Sequence, residues 1–329
     1  MHSELTFSVG VDVDSLWHYY RIHGLDESQA SDHAWSHGVP RFVELFNALE
    51  IPATFYCVAE DIERSTHCLK QLQALSQQGF EIGNHSWKHP YALTQLDLAQ
   101  ASLEITEGKK RLEAASQSIV SGFRAPGYHT HAQFREPLLQ SGHLYESSAF
   151  PCAPYYVAKA MVMGGMRLFG RKSQSILGSP KLLSAPSQPY VASEFSPYRA
   201  SPVELANPLM HYPVSVWCGL PLIGTLFALL GPQLSTRLGQ VVAWRLRSGI
   251  QKANQKPKHL TIEFHAADLL SLFEDQLDSQ LKVQPDLKRG LTHKRQAFEG
   301  FLQALKQVAT PVRLDQHPLT LKYSVNSQV

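Results

Sequence analysis

Leu5-Thr6-Phe7-Ser8-Val9-Gly10-Val11-Asp12-Val13-Asp14 is the stretch on which the reading of this 329-residue chain turns. Phe7, Val9, Val11 and Val13 alternate with Thr6, Ser8, Gly10, Asp12 and Asp14, which is the period of a β-strand with unlike faces. Asp12 and Asp14 therefore share one face, and residues two apart can converge on one site. Downstream, Gly38 to Leu49 places Val39, Phe42, Val43, Phe46 and Leu49 at helical spacing, and Ile51 to Val58 reads as a second strand. The unit is β-α-β.

The same unit recurs. Leu69 to Gln78 reads as a helix ending at Gly79, Phe80 to Gly83 as a short strand, and Thr94 to Ser116 as a long helix with Thr94 as N-cap. Ile119 to Phe123 is a further strand, about His131 to Gln140 a helix, and Leu144 to Ser148 a strand-like piece. Periodicity weakens from about residue 149 to 235, where Gly170 to Pro189 is rich in Ser, Pro and Gly and reads as an insertion or cap rather than a separate domain. Regular patterns return at Met210 to Val216, at Leu234 to Lys252 and Leu291 to Val308 (helices), and at His259 to His265 and Pro311 to Leu314 (strands). Strands alternating with helices predict a parallel sheet with outer helices, a distorted (β/α) barrel spanning 1–329 as one domain, whose rim gathers the strand ends. Asp12, Asp14, His85, Arg124 and His265 all stand at such ends.

Hydrophobic residues make up 43% of the chain, enough for a substantial core, and 30 Lys and Arg against 28 Asp and Glu leave a formal charge of +2. No global field argues for nucleic acid as partner. Cys57, Cys68, Cys152 and Cys218 form no C-x-x-C pair, which fits reduced thiols better than a disulfide framework or a thiolate metal site. The N-terminal stretch runs into the first strand with no basic and apolar leader pattern, so a cytoplasmic location is expected. The apolar run Cys218 to Gly231 contains Pro221 and Gly224 and falls short of the ~20 residues of a spanning helix. Leu234 to Lys252 mixes Leu234, Leu238, Val241, Val242 and Leu246 with Arg237, Arg245, Arg247 and Lys252. Docking on the barrel explains it best, with peripheral contact of 220–252 on the inner membrane face as the alternative.

His85-Ser86-Trp87-Lys88-His89 carries the clearest chemistry. Histidines four apart can point the same way on a helical or tightly turned backbone, and one carboxylate from the first strand supplies a third ligand. Three His and carboxylate donors with a position left for water are the usual set of a hydrolytic zinc centre, although other divalent first-row ions fit the same donors.

V-D-V-D-S, E-I-G-N-H-S-W-K-H-P, G-F-R-A-P-G-Y, L-Y-E-S-S-A-F-P and T-I-E-F-H-A-A-D, in this order, resemble the motifs of the polysaccharide deacetylase (NodB-homology) family, carbohydrate esterase family 4. The resemblance covers roughly the first half of the chain and the strand before His265. It implies a barrel of the polysaccharide deacetylase type, Asp12 as general base, Asp14, His85 and His89 as ligands of a divalent metal, most simply Zn2+, His265 as general acid and Arg124 as the residue orienting the base. Most members carry the two acids adjacent, whereas Val13 separates them here, and Gly127 interrupts the usual R-x-P-Y before Tyr128. The implied reaction removes an N-acyl group, acetyl first, from an amino sugar of an envelope glycan or its glycolipid precursor. Rival readings are a deformylase or amidase acting on a lipid-linked sugar or small cyclic amide, and a non-catalytic carbohydrate-binding barrel.

Around this set, Tyr128, Trp17 and Trp217 are candidate substrate contacts, each open to an ordinary packing role. Glu263 shares the face of His265, as a partner of it or simply as a polar barrel residue. His129 and His131 form an H-x-H that precedes a predicted helix, which favours helix entry or substrate lining over metal ligation.

Overall fold

The computed structural model describes residues 5–27, 30–168, 175–250 and 258–324. Its main sheet runs, in spatial order, β11 (His259–His265), β1 (Thr6–Val13), β2 (Ala53–Cys57), β3 (Glu81–Asn84), β4 (Gly122–Phe123), β5 (Tyr145–Glu146), β8 (Met210–His211), β6 (Tyr190–Ser193) and β7 (Ser196–Ala200), with β12 (Thr310–Pro311) also on β1. Pairing is parallel from β11 through β8 and antiparallel only at β6. β1 is buried throughout because it has strands on both sides, so its acidic face looks into the barrel rather than into water.

Beyond β8 the chain crosses back toward β11. Tyr212 N–H donates to Glu146 O, Ser215 N–H to Thr261 O, and Ile223 pairs in parallel with Glu263. A two-stranded hairpin of β9 (Val216–Trp217) and β10 (Leu220–Pro221) sits in this crossing. The sheet is thus curled into a half-barrel whose opening the crossing segment narrows.

Outer helices close the core. Phe42 and Phe46 of the helix Val39–Leu49 meet Phe264 of β11, and Phe298 of the helix Leu291–Lys306 stacks on Phe42 with centroids 6.1 Å apart. Phe227 stacks on Phe301 at 4.1 Å. These rings are fully buried, each contributing about 1.5–3 kcal/mol by area removed from water.

Several boundaries differ from the sequence reading for local reasons. The long helix starts at Leu98 and not at Thr94, because Asp97 caps it by accepting from Gln100 N–H, while Leu93–Gln95 forms a separate 3₁₀ turn. Residues read as an isolated apolar run before 231 begin the helix Gly224–Ile250, which is broken at Gly231 (φ +79°) and Pro232. Lys252 lies outside the described residues. Leu16–His23 and Ala153–Leu168 are helices for which no expectation was drawn. No helix among the described residues is long and apolar enough to cross a membrane, and the four cysteines are free, with Cys218 exposed.

Candidate active site

Strand register assembles the site. Asp12 is paired in register with His265 across β1 and β11, and Asn84 with Phe123 across β3 and β4, so His85 and Arg124 emerge one residue further along adjacent strands. Asp12, Asp14, His85, His89 and Arg124 are all buried, while His265 is partly open to solvent.

His85 and His89 reach the same point through a tight turn rather than a helix. Ser86 (φ +71°) and His89 (φ +54°) adopt left-handed backbone conformations unusual for residues with side chains, a local strain of about 1–3 kcal/mol each that neighbouring contacts must hold. Ser86 N–H donates to Asn84 Oδ1, His89 N–H to Ser86 Oγ, and Lys88 N–H to Glu104 Oε2. Gly108 lets the helix Leu98–Ser116 approach, since a Cβ there would fall 2.6 Å from Asn84 Oδ1.

His85 Nδ1 stands 2.7 Å from Arg124 O, so this nitrogen donates and Nε2 keeps its lone pair for the site. His85 Nε2 and His89 Nε2 each lie 3.4 Å from Asp14 Oδ1. Asp14 Oδ1 and His89 Nε2 are buried without a hydrogen-bond partner, which buried polar atoms rarely tolerate unless an ion or water completes them. A carboxylate oxygen and two imidazole nitrogens aimed at one point fit a divalent cation. Burial alone would raise the Asp14 pKa, but His89 and His85 beside it hold the carboxyl well below the usual range. For His89, burial, with His18 and His85 nearby, pushes the pKa far down and keeps the ring neutral, as ligation requires.

Beside this set, Arg124 Nη1 lies 2.6 Å from Asp12 Oδ1. The guanidinium is held by Ser147, donating from Nε to its carbonyl and from Nη2 to its hydroxyl, and it covers the Tyr56 ring at 4.1 Å. Only glycine fits at position 10, because a Cβ would meet Arg124 Nη2 and Tyr56 at 2.9 Å. Burial raises the Asp12 pKa above the ordinary carboxylate value and Arg124 opposes the rise. Desolvation outweighs the Arg124 contact, so Asp12 keeps an enhanced affinity for a proton.

Glu263, left open by the sequence, stands 2.9 Å from His265 Nδ1. Against burial, this carboxylate and the two aspartates push the His265 pKa well up. His265 N–H donates to Asp268 Oδ2, fixing the strand end, and Tyr128 OH lies 3.5 Å from His265 Nε2. Tyr128 N–H is tied to Ala125 O. His129 Nε2 is 3.0 Å from Ile176 O, away from the Asp14 cluster's donor set.

Trp17 is buried, with the Arg64 guanidinium 4.9 Å over its ring, and Trp217 lies half-buried against the main core. Sequence reasoning missed a layer behind His89. The His18 ring packs 4.7 Å from it, and His18 Nε2 lies 2.9 Å from Asp61, which also accepts from Ser15 and Trp35. Asp61 carried no signal, because its partners are scattered along the chain. Tyr91, whose ring stands edge-on to His89 at 4.6 Å, was missed as well, although it follows the histidine turn by two residues.

The curled, mostly parallel sheet and its rim of Asp, His and Arg define a deacetylase-type (β/α) barrel with an Asp-His-His donor set. Residues 29–145 match the family model of polysaccharide deacetylase. The chain is 27% identical over 165 residues to a peptidoglycan deacetylase of Helicobacter pylori, covering 48% of this chain and 54% of that one. It is 31% identical over 97 residues to a peptidoglycan-N-acetylglucosamine deacetylase of Bacillus cereus, covering 29% and 43%. The chain spans about half the length of these curated relatives. A crystal structure described as a polysaccharide deacetylase of Mycobacterium smegmatis superposes with TM-score 0.60 at 14% identity, covering 99% of this chain and 92% of that one, and the PuuE allantoinase does so with TM-score 0.60 at 14%, covering 99% and 90%. The match over residues 29–145 and the likeness to these relatives support the resemblance to the polysaccharide deacetylase (NodB-homology) family, carbohydrate esterase family 4.

Proposed function

We propose that this protein is a metal-dependent N-deacylase of amino sugars, acting first on N-acetyl groups of an envelope glycan or its precursor. The observation that carries the reading is the meeting of Asp14, His85 and His89 at one point, beside the Asp12–Arg124 pair. Relatives named as peptidoglycan deacetylases support the substrate class. When bound, a divalent ion, Zn2+ being best suited to these donors, polarises the amide carbonyl and acidifies water. Asp12, with its raised proton affinity and a position fixed by Arg124, takes the proton of the attacking water. His265, held by Glu263 and Asp268, gives a proton to the departing nitrogen, because an amine leaves poorly without one. Tyr128 OH, near His265 Nε2, is placed to touch the sugar or its acyl group.

The test is release of free amine from a panel of N-acetyl and N-formyl amino sugars, with and without chelator, by wild type and by Asp12→Asn. Undiminished turnover after complete metal removal would sink the mechanism. Binding of glycan without release from any substrate would favour the non-catalytic barrel instead.

A glycolipid substrate is the second reading, and one observation favours it. The helix Ala153–Leu168 brings Tyr155 within 6.2 Å of the Tyr128 ring yet leaves Val157, Met161 and Val162 exposed, and Leu234, Val241 and Trp244 of the later helix are exposed among Arg237, Arg245 and Arg247. Apolar groups rimmed by cations suit the inner face of an anionic bilayer. Flotation with anionic vesicles decides between them: a protein that stays at the bottom of the gradient acts on soluble or polymeric glycan.

A further inference from the structure

From Ser147 to Ile262 the sequence carries 12 Lys and Arg and two acids, Glu194 and Glu204, whereas the whole chain has a formal charge of only +2. Positive charge is thus concentrated in this span and offset by an acidic remainder, a segregation that suits an anionic partner. The stretch from Ser147 to Ser193 has no Asp or Glu at all, and the helix Ala153–Leu168 lies inside it.

That helix reaches the catalytic cluster. Tyr155 stands 6.2 Å from the Tyr128 ring, and Tyr128 OH lies 3.5 Å from His265 Nε2. Lys159 follows Tyr155 by one turn, about 6 Å along the axis, and its Nζ is 3.4 Å from His129 Nε2. An imidazole nitrogen accepts at most one of the three ammonium protons and none of the charge. No acid among the described residues pairs with Lys159, and burial alone draws its pKa down to about 8. Tyr156 OH, whose ring is 6.2 Å from His129, is also buried without a partner. Two unsatisfied donors, one of them cationic, therefore flank His129 from positions three apart on one helix. A partly buried cation without a counter-charge is costly, and a phosphate, with charge and several acceptor oxygens, satisfies both groups where a neutral hydroxyl cannot. The outer side of the same helix exposes Val157, Met161 and Val162.

We propose that Lys159 and Tyr156 form an anion subsite for a phosphate carried by the substrate, so that the reacting amino sugar is a sugar phosphate or phosphodiester. The anion site stands on its own geometry, and its attachment to the reacting sugar rests on the deacylase reading. The experiment compares zinc-loaded wild type, Lys159→Met and Tyr156→Phe, neither residue belonging to the catalytic set. Binding of N-acetylglucosamine, its 1-phosphate and the decyl diester of that phosphate is measured by calorimetry, and amine release by kcat/KM. Wild type should bind the 1-phosphate at least about tenfold tighter than the neutral sugar. Lys159→Met should lose that preference and Tyr156→Phe a few-fold of it, as hydrogen bonds to a charged group imply, with the neutral sugar unaffected in both. Equal wild-type affinity for the two sugars overturns the subsite. So does a preference kept in Lys159→Met, which would place the phosphate on the metal ion instead. If Lys159→Met fails to fold, Tyr156→Phe decides, and an undiminished preference in it overturns the subsite. A further gain for the decyl diester identifies a lipid-linked phosphate, and equal affinity for the two phosphates a soluble one. Phosphate preference without amine release from any probe would sink the deacylase reading while leaving the anion site standing, whereas amine release at equal kcat/KM from neutral and phosphorylated sugars sinks the subsite alone.

Discussion

Arg124 and Asp12 form a buried ion pair at 2.6 Å, joined from strand ends 112 residues apart, and neither side chain reaches water. A pair of this kind is weak evidence for stability but strong evidence for placement, since removing one partner leaves an uncompensated charge in the interior. Ser147 and Tyr56 hold the guanidinium from the other sides, so the carboxylate has one position available to it.

Arg124→Met should therefore destabilise the fold by about 3–5 kcal/mol, read as a lower urea midpoint. The double variant Asp12→Asn with Arg124→Met should recover part of that loss, because the orphaned charge is gone. Equal midpoints for the single and double variants would show that the pair is not what holds this part of the barrel.

The cation site predicts a ligand-linked shift in melting. Zn2+ added to chelator-treated protein at a hundredfold over its dissociation constant should stabilise by about 2.7 kcal/mol, a rise in Tm of several degrees. Asp14→Asn or His89→Ala should abolish that rise while folding in the absence of metal. A full shift retained in both variants would place the ion elsewhere.

Much of this site was legible because strand alternation and short spacings survive translation into space. Asp12 and Asp14 share a face by period two, and His85, Arg124 and His265 follow strands that the apolar pattern reveals. The turn at Ser86 and His89 was legible only as a possibility, since nothing in H-S-W-K-H announces two positive φ values. Glu263 could be seen on the right face but not paired, and Asp61 could not be seen at all, because its partners Ser15, His18 and Trp35 lie 26 to 46 residues away. The stretch from 149 to 235 resisted reading because the helix Ala153–Leu168 leaves Val157, Met161 and Val162 exposed, so its apolar residues mark no single buried face, and because β6 and β7 are short antiparallel strands with a register shift at Ala192 and Ser193.

Glu81 gives the fold a pH dependence. Buried in the barrel, it accepts from Thr54 Oγ1 at 2.6 Å and Tyr145 OH at 2.7 Å, and burial, with Asp315 nearby, raises its pKa to about 8. The folded state then binds more protons than the unfolded chain between the ordinary Glu value of ~4.3 and about 8, so stability falls as pH rises through that window. Glu81→Gln should flatten the fall, leaving the variant more stable than wild type at pH 8 by about 1–3 kcal/mol, with the gap closing toward pH 5. A pH-independent difference between the two proteins in denaturation would exclude Glu81 as its source.

Asp61 offers a sharper test of the layer behind the histidine turn, through two substitutions that differ only in what they leave for the neighbours. Its Oδ2 accepts from Ser15 N–H, Ser15 Oγ–H and Trp35 Nε1–H, while Oδ1 faces His18 Nε2 at 2.9 Å. Asp61→Ala orphans all four groups in a fully buried place and should cost about 3–5 kcal/mol. Asp61→Asn can keep its carbonyl toward Ser15 and Trp35 and turn its amide to His18, which then accepts at Nε2 instead of donating, so its cost should be nearer 1 kcal/mol. Because His18 packs against His89 at 4.7 Å, Asp61→Ala should also weaken zinc binding by about tenfold, the range for residues that orient a metal ligand, whereas Asp61→Asn should nearly preserve it. Denaturation midpoints and zinc titrations that rank the two variants alike would mean that Asp61 merely fills space and does not hold His18 against the ligand.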